Sequence, residues 1–230
     1  WTNNTNGGWL FETKHLVLGN KFKKHSLPLA YDVINKLQEI EWEIDSETYK
    51  YEKQTNRAMN KQKFLRVIKD YLGIPFHFVW RYDCRGRSYS SGYDLNLQTN
   101  EYGKALLSLH KKEVITEIGL PNLYIAIANH AGMDNLTWND RYKWAKATPL
   151  DSINWKEPIL GRKAVRALKD TEECKATGYV MSLDATSSGL QVMAALSGCE
   201  DTARHVNMVD PDQRVDIYNT IANEMNIQLS

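Results

Sequence analysis

Apolar positions recur at two different periods along the chain, and the changes of period outline its elements. From Pro28 onward, Ala30, Val33, Ile34, Leu37, Ile40, Trp42 and Ile44 return every three or four residues between Glu, Lys and Gln. That spacing predicts one long helix with a single buried stripe. Phe64, Leu65, Ile68 and Leu72 predict a second helix, stopped by Gly73 and Pro75. The stretch "FHFVWRYDCRGRSYSSGYDLNLQ" begins with strand formers and decays into a loop of Gly, Ser, Asp and Asn. Leu106 to Leu109, "NLYIAIANHAG", "WNDRYKWAKAT" and "RKAVRALK" read as further helices. Tyr179, Val180, Met181 and Leu183 then favour a buried strand. A helix follows whose buried face is Leu190, Met193, Ala194 and Ala195, and Val215, Ile217, Tyr218, Ile221, Ala222 and Met225 outline a last one. Near the start, Gly7, Gly8 and the alternating "WLFETKHLVLG" suggest a turn and short hairpin. No repeat, low-complexity tract or clear linker interrupts the chain. The expected fold is a single α+β, helix-rich unit.

Composition supports a folded chain and little else. Of 230 residues, 42% are apolar, enough to bury a sizeable core. The formal charge is +1, from 29 basic and 28 acidic residues, so any nucleic-acid contact has to come from a local patch. Cys84, Cys174 and Cys199 are odd in number and widely spaced, without the pairs of a zinc site or a disulfide framework, which points to a reducing cytosol. No run of 18 apolar residues occurs, so no membrane span is expected. The first residue is Trp1, which leaves the native start open. His15, His25, His77, His110, His130 and His205 lack metal-ligand spacing and read as structural or surface residues. Trp42, Trp80, Trp138, Trp144 and Trp155 read as core and interface anchors.

Two stretches carry candidate chemistry. In "YVMSLDATSSGLQVMAALSG", Asp184 falls where the predicted strand leaves the core, and Ser187 or Ser188 is placed to cap the next helix. A carboxylate and backbone carbonyls there are oxygen donors suited to Mg²⁺, although a lone aspartate before a helix is more often a turn or cap residue. In "RYDCRGRSYSSG", Arg81, Arg85 and Arg87 alternate with Tyr82 and Tyr89, which offers guanidinium forks for phosphates beside rings on which bases stack. Such clusters are more often solvated ion-pair networks.

"DCRGRSY", "DATSSGLQ" and the "DIY" of Asp216 to Tyr218, in this order, resemble the single-subunit RNA polymerases of bacteriophages and mitochondria. "WTNNTNGG", "VINKLQEIEWEI", "NLQTNEYGKALL" and "ANHAGMDN" extend the likeness across nearly the whole chain. The resemblance implies thumb helices within 1–73 and the first half of a right-hand palm within 74–230. It implies that Asp184 is a catalytic metal ligand, joined by the carbonyl of Ala185, in a site holding two Mg²⁺ ions about 4 Å apart. Arg87 would reach the RNA:DNA hybrid, with Arg85, Tyr89 and Gln98 nearby. Lys104 would lie close to the template and Tyr218 beside the nucleotide. Gly189 stands where related DNA polymerases carry a glutamate that excludes the 2′ hydroxyl, which favours RNA as product.

The departures shape the expected assembly. Asn135 stands where the family usually has a lysine that contacts the triphosphate. The family's fingers helix and its "HDS" element, with the second metal-binding aspartate, have no counterpart, and no "HD" dipeptide occurs. The expected function is a subunit of a DNA-directed RNA polymerase in the cytoplasm of an infected bacterial cell. A second polymerase chain would bring the fingers and the second aspartate, and DNA template, RNA product and NTPs would be the other partners. Some phages encode this enzyme type as two polypeptides; a fragment of one long chain fits equally. The competing readings are a non-catalytic nucleic-acid-binding remnant and a metal-dependent nuclease using Asp83 or Asp134 beside Asp184.

Overall fold

The computed structural model describes residues 28–55, 62–82, 87–92, 95–210 and 212–229; the predicted N-terminal hairpin lies outside them. The chain divides into two compact units, one of residues 1–115 with 169–180, the other of 116–168 with 181–230.

The first unit is built on a short central strand. Helix α1 (Pro28–Glu39) starts on a proline, whose fixed φ suits the first turn, and buries Ile34 and Gln38. It does not run on to Ile44 as the periodicity predicted. Residues Glu41–Ile44 form strand β1, in which Trp42 and Ile44 are buried. A spacing of two fits a strand, and β1 finds a partner on each side, which a continued helix would forfeit. Helix α2 (Ser46–Thr55), too charged to show an apolar stripe, follows at once, and α3 (Gln62–Tyr71) ends at Gly73 (φ 78°) as expected. Strand β2 (Phe76–His77) pairs with one edge of β1, placing Phe76 opposite Trp42.

Strands β3 (Val79–Tyr82) and β4 (Ser88–Ser91) form an antiparallel hairpin. Polar "SYSS" has the composition of a loop; its strand state comes from pairing with β3. Leu106 to Leu109, expected as helix, instead follows the short helix α4 (Glu101–Ala105) into strand β5 (Leu107–Leu109). Strand β5 occupies the other edge of β1, with Ile44 opposite Leu107. The sheet order is therefore β2-β1-β5. Trp42, Phe78, Leu106 and Leu107 are buried in this unit, and the Trp42 and Phe78 rings meet edge to face at 5.8 Å.

Asp45, buried directly after β1, joins the sheet to α2. It accepts from Thr48 N–H at 2.8 Å and from the Ser108 hydroxyl at 3.1 Å, while its own N–H donates to Leu106 O. On the polar face of β1, Glu43 accepts from Lys112 at 2.9 Å and lies 3.0 Å from His110 Nδ1. Partial burial pushes this carboxyl up, but the bonds from Lys112 and His110 outweigh it and hold the group below the usual glutamate value.

The second unit is helical: α5 (Leu120–His130), α6 (Trp138–Ala147), most of α7 (Pro158–Glu172), α8 (Ser188–Ser197), α9 (Glu200–His205) and α10 (Ile217–Leu229). The first three follow the predicted apolar spacing. The turn between α5 and α6 closes around buried Arg141, which donates to Leu136 O, Asn129 Oδ1 and Asp134 O at 2.9, 3.0 and 2.6 Å. Trp42 and Trp80 are buried anchors as expected, whereas Trp138 is exposed.

The predicted strand at Tyr179–Leu183 does not form. Pairing ends at the Glu113–Thr177 bridge and the Leu109 N–H to Gly178 O bond of 2.9 Å. A Cβ on Gly178 would sit 2.3 Å from Leu109 O, so glycine allows that close approach. Beyond it no strand lies alongside among the described residues, and Leu183 is 64% exposed. Helix α8 forms as predicted but its expected apolar face does not: Ala194 is buried and Leu190 partly so, while Met193 and Ala195 are exposed. Among the described residues, Val206, Ile217 and partly buried Ala203 pack with Ala194 and Leu190.

Asp45→Ala should lower unfolding stability by about 2–4 kcal/mol, combining a lost helix cap with two buried donors left unpaired; a denaturant midpoint corresponding to less than about 0.5 kcal/mol contradicts this role. Because the Glu43 carboxyl is depressed in the folded state, its stabilisation is present above the unfolded value near 4.3 and is lost as pH falls through the lower folded value. The stability gap between wild type and Glu43→Gln should therefore shrink as pH drops from about 5 towards 3.

Candidate metal and nucleic-acid site

The residues singled out in the sequence fall on both units, Arg85, Arg87, Tyr89, Gln98 and Lys104 on the first, Asp184, Ala185, Gly189 and Tyr218 on the second. On the first, Arg85 and Asp83 lie outside the described residues. Arg87 is exposed at the foot of β4, and Tyr89, half-buried within β4, stands opposite Arg81 in the hairpin register. Neither Arg87 nor Tyr89 is without an internal partner.

The loop after β4 is bound along that strand like a further strand. Gln98 accepts from Ser90 N–H at 3.2 Å and donates to Ser88 O at 2.9 Å, occupying the alternate backbone groups that a neighbouring strand would use. Asn96 accepts from the Ser90 hydroxyl at 2.9 Å and donates to Ser90 O and Gly92 O. Both ends of the Gln98 amide are thus spent on holding β4, and with it Tyr89, in place. Asn96 was not singled out in the sequence, where it looks like any loop asparagine. Lys104 is half-buried on α4, whose N-terminus is capped by Asn100 through Gly103 N–H at 3.0 Å.

On the second unit Asp184 is exposed, and among the described residues its carboxylate has no hydrogen-bond or ion-pair partner. Ser187 stands at the N-cap of α8 without making a side-chain cap bond, so Asp184 is not the cap of this helix and neither is Ser187 a formed one. Ala185 is exposed beside it. These two supply oxygen donors of the hard type that Mg²⁺ prefers. Among the described residues no three His, Cys, Asp or Glu side chains converge as metal ligands. Asp134, a carboxylate considered for a nuclease, lies 3.8 Å from Lys156.

Gly189 sits in the first turn of α8, and a Cβ there would meet nothing within 4 Å. Packing inside this chain therefore does not require glycine. Tyr218, in the first turn of α10, is 67% exposed. That turn is fixed by Asp216, which accepts from Tyr218 N–H at 3.0 Å and Asn219 N–H at 3.3 Å. The segments carrying Thr186 and Val215 are both tied to Asn207, another residue with no distinguishing mark in the sequence.

The sequence profile of the DNA-dependent RNA polymerase family matches residues 113–230. Among relatives, a probable DNA-directed RNA polymerase of Gelasinospora sp. is 26% identical across 92% of this chain. The DNA-directed RNA polymerase of Pseudomonas phage phiKMV is 29% identical across 71% of it, and the mitochondrial enzyme of Neurospora crassa is 29% identical across 69%. The chain spans only 29%, 22% and 12% of the lengths of these three proteins. Matched over half its length by the family profile, and collinear with both phage and mitochondrial enzymes, the chain belongs to the single-subunit type of DNA-dependent RNA polymerases.

Proposed function

We propose that this chain is one part of a DNA-directed RNA polymerase. It supplies one metal-holding aspartate and a set of template and hybrid contacts, and a partner polypeptide carries the fingers and the second aspartate. The observation that carries this reading is the state of Asp184: an exposed carboxylate beside exposed Ala185, with no partner among the described residues, where a cap or buried ion pair would be engaged.

Further support comes from the surface around it. Met193, Val192 and Leu196, the last 84% exposed, lie open on α8, and Tyr218, Ile221 and Met225 lie open on α10. Exposed apolar side chains grouped on one side of each of these helices suit a surface that another polypeptide covers.

Asp184 and the Ala185 carbonyl would hold Mg²⁺. When bound, the metal supplies positive charge that eases deprotonation of the primer 3′ hydroxyl and offsets charge on the departing pyrophosphate. The chain's own residues bind and orient. Arg87 and Lys104 offer cations to backbone phosphates, and Tyr89, held by the Gln98 and Asn96 bonds, offers a ring face for a base. The open space at Gly189 leaves room for a ribose 2′ hydroxyl.

With NTPs and a primed template, the purified chain alone should make no RNA, and addition of its complementary polypeptide should restore synthesis. In that assembly Asp184→Asn should reduce the rate by at least about a hundredfold, more than the loss typical of an outer-shell partner. Synthesis by the isolated chain contradicts the shared site, and an active Asp184→Asn assembly removes Asp184 from it. A non-catalytic remnant would bind template yet stay inactive with every candidate partner.

Gly189→Glu should fold normally, since no internal neighbour is displaced and an acid in the first helical turn is favourable. It should lower kcat/KM for ribonucleotides relative to deoxyribonucleotides by at least about tenfold, corresponding to 1.4 kcal/mol of discrimination. An unchanged ratio places the 2′ position elsewhere.

A further inference from the structure

We infer that Asn207 is a positioning residue of the nucleotidyl-transfer site, holding the segment that bears Asp184 and the helix that bears Tyr218 in one fixed arrangement. The inference rests on reading Asp184 as a metal ligand.

Asn207 follows α9 with φ 61°, a left-handed conformation that non-glycine residues adopt infrequently. Its backbone ends the helix in the way that usually selects glycine: Asn207 N–H donates to Arg204 O at 3.2 Å and Met208 N–H to Ala203 O at 2.9 Å. Glycine would serve that backbone at lower cost, so the reason for asparagine has to be sought in its side chain.

That side chain makes bonds to one segment 21 residues before it and to another eight residues after it. Nδ2 donates to the Thr186 hydroxyl at 3.2 Å and to Val215 O at 2.9 Å, and Oδ1 accepts from Val215 N–H at 2.6 Å. Thr186 is two residues from Asp184 and adjoins Ala185. Val215 immediately precedes Asp216, the residue that fixes the first turn of α10 and the backbone of Tyr218. One amide therefore bridges the segment with the metal donors and the start of the tyrosine helix.

The bridge is itself anchored. Val206, the preceding residue, is fully buried, and its carbonyl accepts from Gln191 Nε2 of α8 at 2.9 Å. The Asp184 segment has no strand partner among the described residues, so side-chain bonds of this kind carry more of its positioning than they would in a sheet. Metal sites lose affinity when the groups that orient their ligands are removed, by about 10- to 100-fold.

The test uses the assembled, active polymerase containing this chain. Asn207→Gly keeps the left-handed backbone and deletes the bridge; Thr186→Val removes one acceptor with little change of shape. With Mn²⁺ as a spectroscopic probe, Asn207→Gly should weaken metal binding about tenfold. It should also raise amide exchange at Val215 and across residues 184–187, and raise KM for NTPs more than it lowers kcat. Thr186→Val should weaken Mn²⁺ binding as well, and the double variant should fall short of the sum of the two effects. A lower Tm with Mn²⁺ affinity and NTP KM unchanged makes Asn207 an ordinary helix terminator and overturns the inference. So does the absence of any change. Asp184→Asn is the separate control: if it still binds Mn²⁺ and synthesises RNA like the wild type, the reading of Asp184 fails and the inference with it.

Discussion

Extended backbone has to place its N–H and C=O groups against a partner, and in this chain that requirement governs everything else. Strand β1 has β2 on one side and β5 on the other, so four residues suffice to organise the first unit. Asp45 extends the effect by linking the end of β1 to α2 and to Ser108 of β5. The same requirement is met differently beside β4, where the amides of Gln98 and Asn96 take the place of a strand. Past Gly178 it is not met by a strand at all among the described residues, and Ser182, Leu183 and Asp184 are exposed.

An exposed segment is a poor place for precise chemistry unless something orients it. In the second unit that task falls to a small cluster of Ala194, Val206 and Ile217 and to the hydrogen bonds gathered by Asn207. The cluster is modest compared with the apolar area that α8 and α10 leave open. Burial of that area against another stretch of polypeptide would add stability.

Membership of the polymerase family gives these features a shared purpose. Phosphoryl transfer asks a protein for positioning and charge more than for covalent chemistry. Under the proposed function, a hairpin held by side-chain amides, an exposed carboxylate and a glycine facing open space would all serve positioning or access. They are distributed over two units of a chain that covers less than a third of the length of the relatives compared.

Local periodicity alone was enough to read α3, α5, α6, α7 and the start of α8, because a helix satisfies its backbone within its own residues and its apolar stripe needs only some surface to face. The motifs "DCRGRSY" and "DATSSGLQ" made the family legible, through their order and their likeness to the polymerases and not through residue type alone. What only the tertiary structure decided was the state of extended segments. Trp42 and Ile44 became strand and not helix, polar "SYSS" became strand, Leu107–Leu109 left its helix, and Tyr179–Leu183 formed no strand among the described residues. The roles of Gln98 and Asn207 were hidden for the same reason. Pairing and bridging depend on which distant residue arrives alongside, and that is a property of the folded chain and not of any window of its sequence.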